Sequence, residues 1–293
     1  MNFNQLHVFQ EAARLLNFTR AAEELHLTQP GVSKHLKGLE EYYGTQLFNR
    51  LGKRIVLTQA GEALYEATTA AFNLLGKARL RIDELGNLTS GSLAIGATRT
   101  VGAYLLPDKL VQFRQRFPGI DLRVETAVSR QIIDSVLDGS LDVGLVGHVS
   151  TDPRLTSRVF LRDRIVLVVS PQHDWSQRKT AVHLAELESQ TLLISKRGSG
   201  TWNTVDSLLN VADVNIGNIM ELGTTEGVKQ AVMANLGVSL LSGHVVVGEL
   251  AAGTLKQIPV AGGEYFRNIY LIQHKDLYQS RAAQAFVDLL VSP

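Results

Sequence analysis

Two helical patterns meet in residues 19–43 with only His26 and Leu27 between them, and this spacing constrains the fold more than any other feature of the chain. Thr19 is the expected N-cap of the first helix and Thr28 of the second, since a threonine hydroxyl can accept a hydrogen bond from a free amide of the first turn. Two helices joined by so short a connection form a helix-turn-helix.

The helices of this module are expected to be amphipathic. A preceding helix, expected from about Asn4 to Leu16, has apolar residues at spacings of three and four: Leu6, Phe9, Ala13 and Leu16. The third helix buries a similar stripe: Val32, Leu36, Leu39 and Tyr43. At 100° per residue, the other side of that helix is basic and rich in hydrogen-bonding groups: Pro30, Ser33, Lys34, Lys37 and Gly38, with Gln29 at its N-terminal end.

A hairpin wing is expected next, because two short apolar segments, 47–50 and 55–58, flank a turn that contains Gly52. Residues 29–59 hold five bases and two acids, so 5 − 2 = +3, in a chain whose overall charge is +1. Most charge clusters only solubilise a surface, but this one coincides with the helix face and the wing, which favours DNA binding. The candidate DNA-contacting residues are Gln29, Pro30, Ser33, Lys34, Lys37, Arg50, Lys53 and Arg54.

A long helix capped by Thr58 is expected to follow the wing. It carries an apolar seam that consists of Leu64, Ala71, Leu75, Ala78, Ile82 and Leu85. From Thr58 to Leu85 this helix would be about 40 Å long at ~1.5 Å per residue, too long to bury its seam on the small module before it. A second copy of the chain is the expected cover, and the alternative is a helix folded back on its own domain.

The pattern changes after a polar break at residues 87–92, where a hinge is expected. Strand-like segments then alternate with helical ones, such as those near 107–116 and 129–137, which predicts an α/β fold with a mainly parallel sheet, or two of them, behind the all-α module. The expected strands are 93–97, 121–126, 141–146, 165–170, 191–195, 218–222, 238–241 and 268–273.

Polar loops follow several of these strands. Ligands of open α/β sheets gather at the carboxyl ends of the strands, where helix N-termini present free amides. The loops supply hydroxyls, glycine, histidine and one guanidinium: Thr98, Arg99, Thr100, Ser129, Gly147, His148, Ser199, Thr201, Thr224 and Thr225. As a set they suit a small anionic effector. Taken singly, Ser129, Thr201 and Thr225 can equally be N-caps, and Arg99 a surface charge.

Short motifs in residues 18–25 (FTRAAEEL), 27–33 (LTQPGVS), 47–50 (LFNR) and 57–61 (LTQAG) resemble the winged helix-turn-helix of LysR-type transcriptional regulators. The similarity covers the whole chain, since residues 223–229 (GTTEGVK) resemble a pattern of that family's effector domain. Gly31 departs from the alanine that the family often has there. Glycine costs about 1 kcal/mol of helix propensity, which predicts a recognition helix that settles fully only on DNA.

The resemblance implies a DNA-binding domain in residues 1–58, a dimerisation helix and hinge in 59–89, and an effector-binding domain in 90–293. That last domain would have the type 2 periplasmic-binding-protein fold, with lobe I in residues 91–161 and 268–293, lobe II in 162–267, and two crossovers between them. A homodimer or homotetramer on double-stranded promoter DNA is implied, with the effector in the cleft between the lobes. RNA polymerase is a further candidate partner.

Other functional classes fit the chain less well. It has no cysteine, which excludes disulfides, zinc ribbons and cysteine nucleophiles. No enzyme activity, cofactor or metal is expected, because residues 198–200 lack the further glycine of a dinucleotide loop, and His183 and Glu186 have no second histidine at metal-ligand spacing. Without a signal sequence or a long apolar run, a cytoplasmic protein with no membrane partner is expected. An intracellular solute-binding protein and an architectural DNA-binding protein are the alternatives.

Overall fold

The computed structural model describes residues 1–51, 54–83 and 91–291, which divide into two units. The first unit contains residues 1–82 and 138–140, and the second contains the rest of the chain. In the described part of the chain, no helix is both long and apolar enough to span a bilayer.

The first unit has the predicted three-helix module, wing and long helix. Its elements are α1 (Phe3–Leu15), α2 (Phe18–Glu24), α3 (Gln29–Tyr43), β1 (Phe48–Leu51), β2 (Arg54–Leu57) and α4 (Gln59–Asp83). β1 and β2 pair antiparallel, as a hairpin requires. Most of the predicted stripes of α1 and α3 meets α2 in one core, in which Phe9, Ala21, Val32 and Leu39 are completely buried. The last residue of each stripe is a correction, because Leu16 and Tyr43 lie at the C-terminal ends of their helices and are both 43% exposed. The helix-turn-helix prediction is confirmed.

The N-cap of α2 differs from the prediction. Thr19 lies inside the helix, and the cap is Asn17, whose Oδ1 accepts hydrogen bonds from the amides of Thr19 and Arg20 at 3.0 and 3.1 Å. Phe18 starts the helix because its ring packs edge-on against Phe48 of the wing, with ring centroids 5.1 Å apart. The two predicted caps Thr28 and Thr58 are confirmed, since each hydroxyl accepts the amide of the residue three positions later.

Replacing Asn17 with alanine is therefore expected to destabilise α2 by about 1 kcal/mol, because two amides of its first turn lose their acceptor. Thr19→Ala is the matched control, and it should change little, since its hydroxyl does not cap the helix. Hydrogen exchange measured by mass spectrometry on peptides that cover α2 compares the two variants. Faster exchange in Thr19→Ala than in Asn17→Ala would contradict this assignment.

The second unit contains nine strands and six α-helices among its described residues. They are β3 (Gly91–Thr98), α5 (Leu106–Arg116), β4 (Ile120–Ala127), α6 (Ser129–Leu137), β5 (Val143–Val146), β6 (Leu155–Val169), β7 (Thr191–Ile194), α7 (Gly200–Val211), β8 (Asn218–Glu221), α8 (Thr225–Met233), β9 (Ser239–Ser242), α9 (Val247–Ala252), β10 (Lys256–Ile258), β11 (Tyr265–His274) and α10 (Arg281–Val291). A π-helical segment, Val101–Leu105, precedes α5.

The sheets correct the prediction of mainly parallel pairing. A seven-stranded sheet has the order β10-β6-β11-β5-β3-β4, with β9 also on β6. Only the β3–β4 and β3–β5 pairs are parallel in it, and the other pairs are antiparallel. The separate sheet β7–β8 is parallel as predicted. The strand β3 also begins earlier than predicted, because Gly91 and Ser92 pair with β4 and do not belong to the hinge. The rest of the predicted hinge, residues 87–90, lies outside the described residues.

Two long strands run the length of this domain. β6 and β11 pair antiparallel from Leu155 to Ile165, with one bulge at Ile269/Tyr270. The first half of β6 was not predicted. The buried residues of this domain form two groups of hydrophobic clusters. One group comes from residues 93–155 and 269–290, and the other comes from residues 165–258. The domain thus has two lobes joined by a paired ribbon, and Asp163 and Arg267 face each other in that ribbon.

The seam of α4 is buried only at its N-terminal end. Leu64 packs on the core of the first unit. Leu75 and Ile82 are 53% and 67% exposed, and Ala71 and Ala78 beside them are exposed as well. Leu74 extends this apolar stripe, while the last predicted seam residue, Leu85, lies outside the described residues. The described part of a single chain therefore leaves most of the seam uncovered.

Candidate DNA-binding and effector-binding sites

The N-terminal end of α3 projects polar groups into solvent. Gln29, Pro30 and Lys34 are exposed, and Ser33 is half-buried. The Gln29 amide Nε2 donates a 3.1 Å hydrogen bond to the Ser33 hydroxyl, which fixes the amide plane and leaves its oxygen free to accept. A preoriented amide at a helix N-terminus has the geometry that reads an adenine edge in the major groove.

Gly31 does not interrupt the recognition helix in the structure. α3 runs unbroken from Gln29 to Tyr43. The Gly31 amide donates to the Thr28 hydroxyl, and a Cβ on Gly31 would lie only 3.2 Å from that oxygen. Glycine therefore leaves room for the cap, and the cap offsets part of the lost helix propensity.

The two acids near α3 do not cancel its basic face. Glu40 turns inward, where its Oε1 accepts the Leu47 amide at 2.8 Å and holds the entry to the wing. Glu41 lies 3.8 Å from Lys37, and both side chains are well exposed. Such a surface pair is weak, so Lys37 is available to a phosphate. Arg54 is exposed on the wing. Lys53 lies outside the described residues, and for Arg50 only the backbone in β1 is described.

The predicted effector-binding residues lie at common sheet edges. Thr98 ends β3, and Ser129 and Gly147 follow its parallel neighbours β4 and β5, so the three share the carboxyl edge of that sheet. Ser199 and Thr225 follow β7 and β8 in the same manner. The two edges approach each other, because a Cβ on Gly147 would lie 3.8 Å from the Cα of Gly200.

Several of these hydroxyls act as helix caps. Ser199 accepts the Trp202 amide at 3.2 Å, and Thr224 accepts the Gly227 amide at 3.0 Å. Thr201 and Thr225 are not N-caps, because Thr201 is the second residue of α7 and Thr225 the first residue of α8, after the caps Ser199 and Thr224. With Ser199, they line a cavity of about 20 Å³. This cavity is lined by residues of the second lobe and has room for about one water molecule, so it is too small to hold an effector.

The other predicted residues do not reach this cavity. Arg99 and His148 are exposed, and Thr98, Thr100 and Ser129 are half-buried in the first lobe. Ser129 begins α6. The pair His183 and Glu186 has a structural role: the Glu186 carboxylate accepts the His183 amide and pairs with Arg178. In the described ranges, no group of three or more His, Asp or Glu side chains could hold a metal ion.

The sequence prediction missed a buried polar cluster on the ribbon. Arg267 Nε donates to Asp163 Oδ2 at 2.8 Å, and Arg267 Nη1 donates to Thr201 Oγ1 at 2.8 Å. The Ser242 hydroxyl donates to the other Asp163 oxygen at 2.7 Å. Asp163 is fully buried and Arg267 nearly so. The available signal was an arginine and an aspartate inside otherwise apolar strands, where charged residues are rarely buried unless they are paired or bind something.

A second cluster joins the two lobes. The nearly buried Lys229 Nζ lies 2.7 Å from Glu249 Oε1 and 2.9 Å from Glu226 Oε2. The Tyr104 hydroxyl, from the π-helical segment of the first lobe, donates to Glu226 at 3.0 Å. Burial alone would lower the pKa of Lys229, but its bonds to Glu249 and Glu226 outweigh burial and raise it above the usual value. The hydrogen bond from Lys229 is the main reason that the pKa of Glu226 is lowered.

Comparison with known proteins agrees with both halves of this description. Residues 3–62 match the "Bacterial regulatory helix-turn-helix protein, lysR family" model, and residues 86–292 match the "LysR substrate binding domain" model. The RuBisCO operon transcriptional regulator of Allochromatium vinosum is 32% identical over 100% of this chain and 96% of its own length. The HTH-type transcriptional activator CmpR of Synechocystis is 33% identical over 98% of this chain and 94% of its own length.

Solved structures show the same fold. Full-length CbnR, solved with its target DNA, is 22% identical and superposes with a TM-score of 0.72 over 99% of each chain. The regulatory domain of CcmR from Synechocystis PCC6803, solved in complex with 2-PG, is 26% identical with a TM-score of 0.63 and covers 69% of this chain and 96% of its own. With a helix-turn-helix and a two-lobed sensor domain in one polypeptide, this chain belongs to the family of LysR-type transcriptional regulators.

Proposed function

We propose that this regulator binds promoter DNA as a homodimer or homotetramer and changes its action when a small anionic effector enters the cleft between its lobes. The observation that carries the proposal is the exposed N-terminal end of α3, where the Gln29 amide is already oriented by Ser33. Its named relatives are transcriptional regulators, which supports a role without catalysis. A cytoplasmic location follows from the DNA target.

At the DNA, α3 occupies the major groove and the wing contacts the backbone. Gln29 offers its amide to adenine, and Pro30 offers an apolar contact to a thymine methyl. Ser33 and Lys34 reach a base or a phosphate. Phosphates are bound by four basic residues: Lys37, Arg50, Lys53 and Arg54. CbnR, which has the same fold, was solved with its target DNA, which supports DNA binding by this chain.

In the sensor domain, the effector lies between the carboxyl edges of the two sheets. Hydroxyls and helix N-termini from both lobes surround it: Thr98, Arg99, Thr100, Ser129, Gly147, His148, Ser199, Thr201, Thr224 and Thr225. The complex of the CcmR regulatory domain with 2-PG supports a small-molecule effector. Effector contacts with both lobes favour one lobe angle over others, and that angle sets the relative position of the DNA-binding domains.

Gln29→Ala and Arg54→Ala are expected to fail in different ways. DNA fragments selected from a random library by the wild-type protein serve as specific sites. Gln29→Ala should lose about 5- to 100-fold in affinity for selected DNA and little for random duplex, because the Gln29 amide contacts a base. Arg54→Ala should weaken both equally and reduce the slope of log K against log salt by about 1. If each variant loses the same affinity for selected DNA as for random duplex, the assignment of Gln29 to base contacts and of Arg54 to phosphate contacts is wrong.

Effector control is tested by transcription in vitro with RNA polymerase on a template that carries a selected site. Small anions that raise the thermal stability of the full-length protein are added one by one. The proposal predicts that at least one of them changes transcript yield from this template and leaves a template without the site unchanged. A regulator whose DNA binding and transcript yield respond to no such anion would be an architectural DNA-binding protein.

A further inference from the structure

The guanidinium of Arg267 has an unused donor. Its Nε and Nη1 bond to Asp163 and Thr201, but Nη2 has no exposed surface and no hydrogen-bond partner among the residues that the structure describes. The whole residue is only 7% exposed. Buried donors are paired in the great majority of cases, because an unpaired one loses its hydration without compensation. An unpaired charged donor at this depth points to a ligand that is absent from the free protein.

The surroundings of this guanidinium are built to admit an anion. It lies at the N-terminus of α7, a twelve-residue helix whose first turn holds Thr201, its Nη1 acceptor. A Cβ on Gly200 would lie 3.6 Å from Nη1, and one on Gly147 would lie 3.8 Å from Gly200. Gly147, Gly200 and the Arg267 guanidinium therefore lie close together at the N-terminus of α7. The free amides and positive dipole end of a helix favour a negatively charged ligand.

We propose that Arg267 anchors the carboxylate or phosphate group of the effector through Nη2 and the first amides of α7. This inference rests on the proposed function. It assigns recognition of the effector's negative charge to Arg267, whereas the sequence analysis had only Arg99 as a cationic candidate. Asp163 offsets the guanidinium charge, so the anion is held by the hydrogen bond from Nη2 and by the N-terminus of α7 and not by a net positive charge. Asp163 also holds the guanidinium plane fixed, which preserves the fork geometry that suits a planar carboxylate or a phosphate face.

The position of Arg267 links binding to lobe movement. Asp163 and Arg267 are direct partners in the β6–β11 ribbon that joins the lobes, while Thr201 belongs to a helix of the second lobe and Gly147 to a loop of the first. Nη2 has no exposed surface, so the groups that cover it must move when the anion enters. A bound anion then contacts the ribbon and α7 together and favours the lobe angle that suits both.

The experiment titrates the full-length protein with inorganic phosphate and, separately, with acetate. Trp202, in the first turn of α7 and lining the adjoining cavity, reports binding by its fluorescence. Trp175→Phe removes the signal of the other tryptophan. Arg267→Lys keeps the positive charge beside Asp163 but removes the forked guanidinium donors, so the affinity for the anion should fall by about 10- to 100-fold. The arm that binds more tightly identifies the group as phosphate or carboxylate.

Arg162→Lys is the matched control, because Arg162 lies next to Asp163 on β6 with an exposed side chain over Phe266. It should change affinity by less than about twofold. Melting temperatures are measured in parallel. If Arg267→Lys does not fold, the neutral double variant Asp163→Asn/Arg267→Gln takes its place, and the same loss is expected.

The outcomes separate this inference from the proposed function. Equal anion affinity in wild type and Arg267→Lys overturns the inference. If Arg99→Ala then loses anion affinity, the proposed function, in which an anion binds in the cleft, is still supported. A loss in Arg267→Lys that Arg162→Lys reproduces also overturns it, because such a loss reflects the ribbon and not the donor. If neither anion binds the wild type, the inference fails together with the anionic part of the proposed function. A loss confined to Arg267 variants supports the assignment.

Discussion

Leu75→Glu is expected to lower the affinity for a two-half-site operator by about 10²- to 10⁴-fold while affinity for one half-site stays nearly unchanged. Leu75 lies in the middle of the exposed apolar stripe of α4, between Ala71 and Ile82. Burying a leucine side chain in a partner interface contributes about 1.5–3 kcal/mol. A buried, unpaired carboxylate reverses that gain and adds a desolvation cost of several kcal/mol.

The operator effect follows from linkage of the two DNA-binding domains. When two modules are joined, the second binds its half-site at a local concentration in the mM range. A variant that no longer pairs through α4 loses this advantage but keeps its own module intact. The N-terminal end of α4, which packs on that module through Leu64, is distant from the substitution.

Light scattering gives the mass of the particle in solution, and gel shift with one and two half-sites gives the affinities. Glu66→Lys is the control, since Glu66 is exposed about 140° around the helix from the centre of the stripe. It changes the charge of α4 by two units and should leave the mass and both affinities in place. If Leu75→Glu retains the wild-type mass and operator affinity, α4 is not the dimerisation element.

Local signals in the sequence were sufficient for many elements. α6 runs from Ser129 to Leu137 as predicted, because its amphipathic stripe is short and Gly139 stops it. Local signals failed where neighbours decide. Both Asn17 and Thr19 can cap a helix, and the packing of Phe18 on Phe48 selects Asn17. The choice depends on a contact thirty positions away, which helix propensity does not contain.

Strand pairing and the buried clusters depend even more on distant contacts. The first half of β6 carries exposed Arg158 and Arg162 and therefore lacks an apolar run, yet it pairs with β11 over its whole length. Whether two strands pair parallel or antiparallel depends on how the chain connects them, and residue periodicity carries no information about that connection. Arg267 was overlooked for the same reason, because Asp163, its partner, is 104 positions away. The hydroxyl residues at the sheet edges could be predicted from the sequence. The buried charge of Arg267 beside them could be found only once the fold was known.

Lys229→Met is expected to destabilise the sensor domain by about 3 kcal/mol, the lower end of what removing one partner of a buried ion pair costs, because Glu249 keeps 19% exposure of its side chain. For a domain of this size that loss corresponds to a melting temperature about 6–12 °C lower. The substitution leaves Glu226 and Glu249 without the ammonium that separates their charges, and it removes the cation beside the Tyr104 ring.

The stability loss should depend on pH in a defined direction. A carboxyl whose pKa is lowered in the folded state adds stability above its unfolded pKa and loses it as the pH falls through the folded value. The pKa of Glu226 is lowered, first by its bond from Lys229. The wild type therefore loses this contribution in acid, whereas protonation relieves the repulsion between the glutamates of the variant. The difference in melting temperature should be largest near pH 7 and smaller at about pH 3.5, which lies below the ordinary glutamate pKa of about 4.3.

Differential scanning fluorimetry of full-length wild type and Lys229→Met at both pH values measures this difference. Lys179→Met makes the same side-chain change at an exposed position and should stay within about 0.5 kcal/mol of wild type. Adding Glu249→Gln to Lys229→Met should restore part of the lost stability, since it removes the buried charge that the first substitution strands. A difference that is constant between the two pH values would show that Lys229 acts through packing of its aliphatic chain and not through the two glutamates.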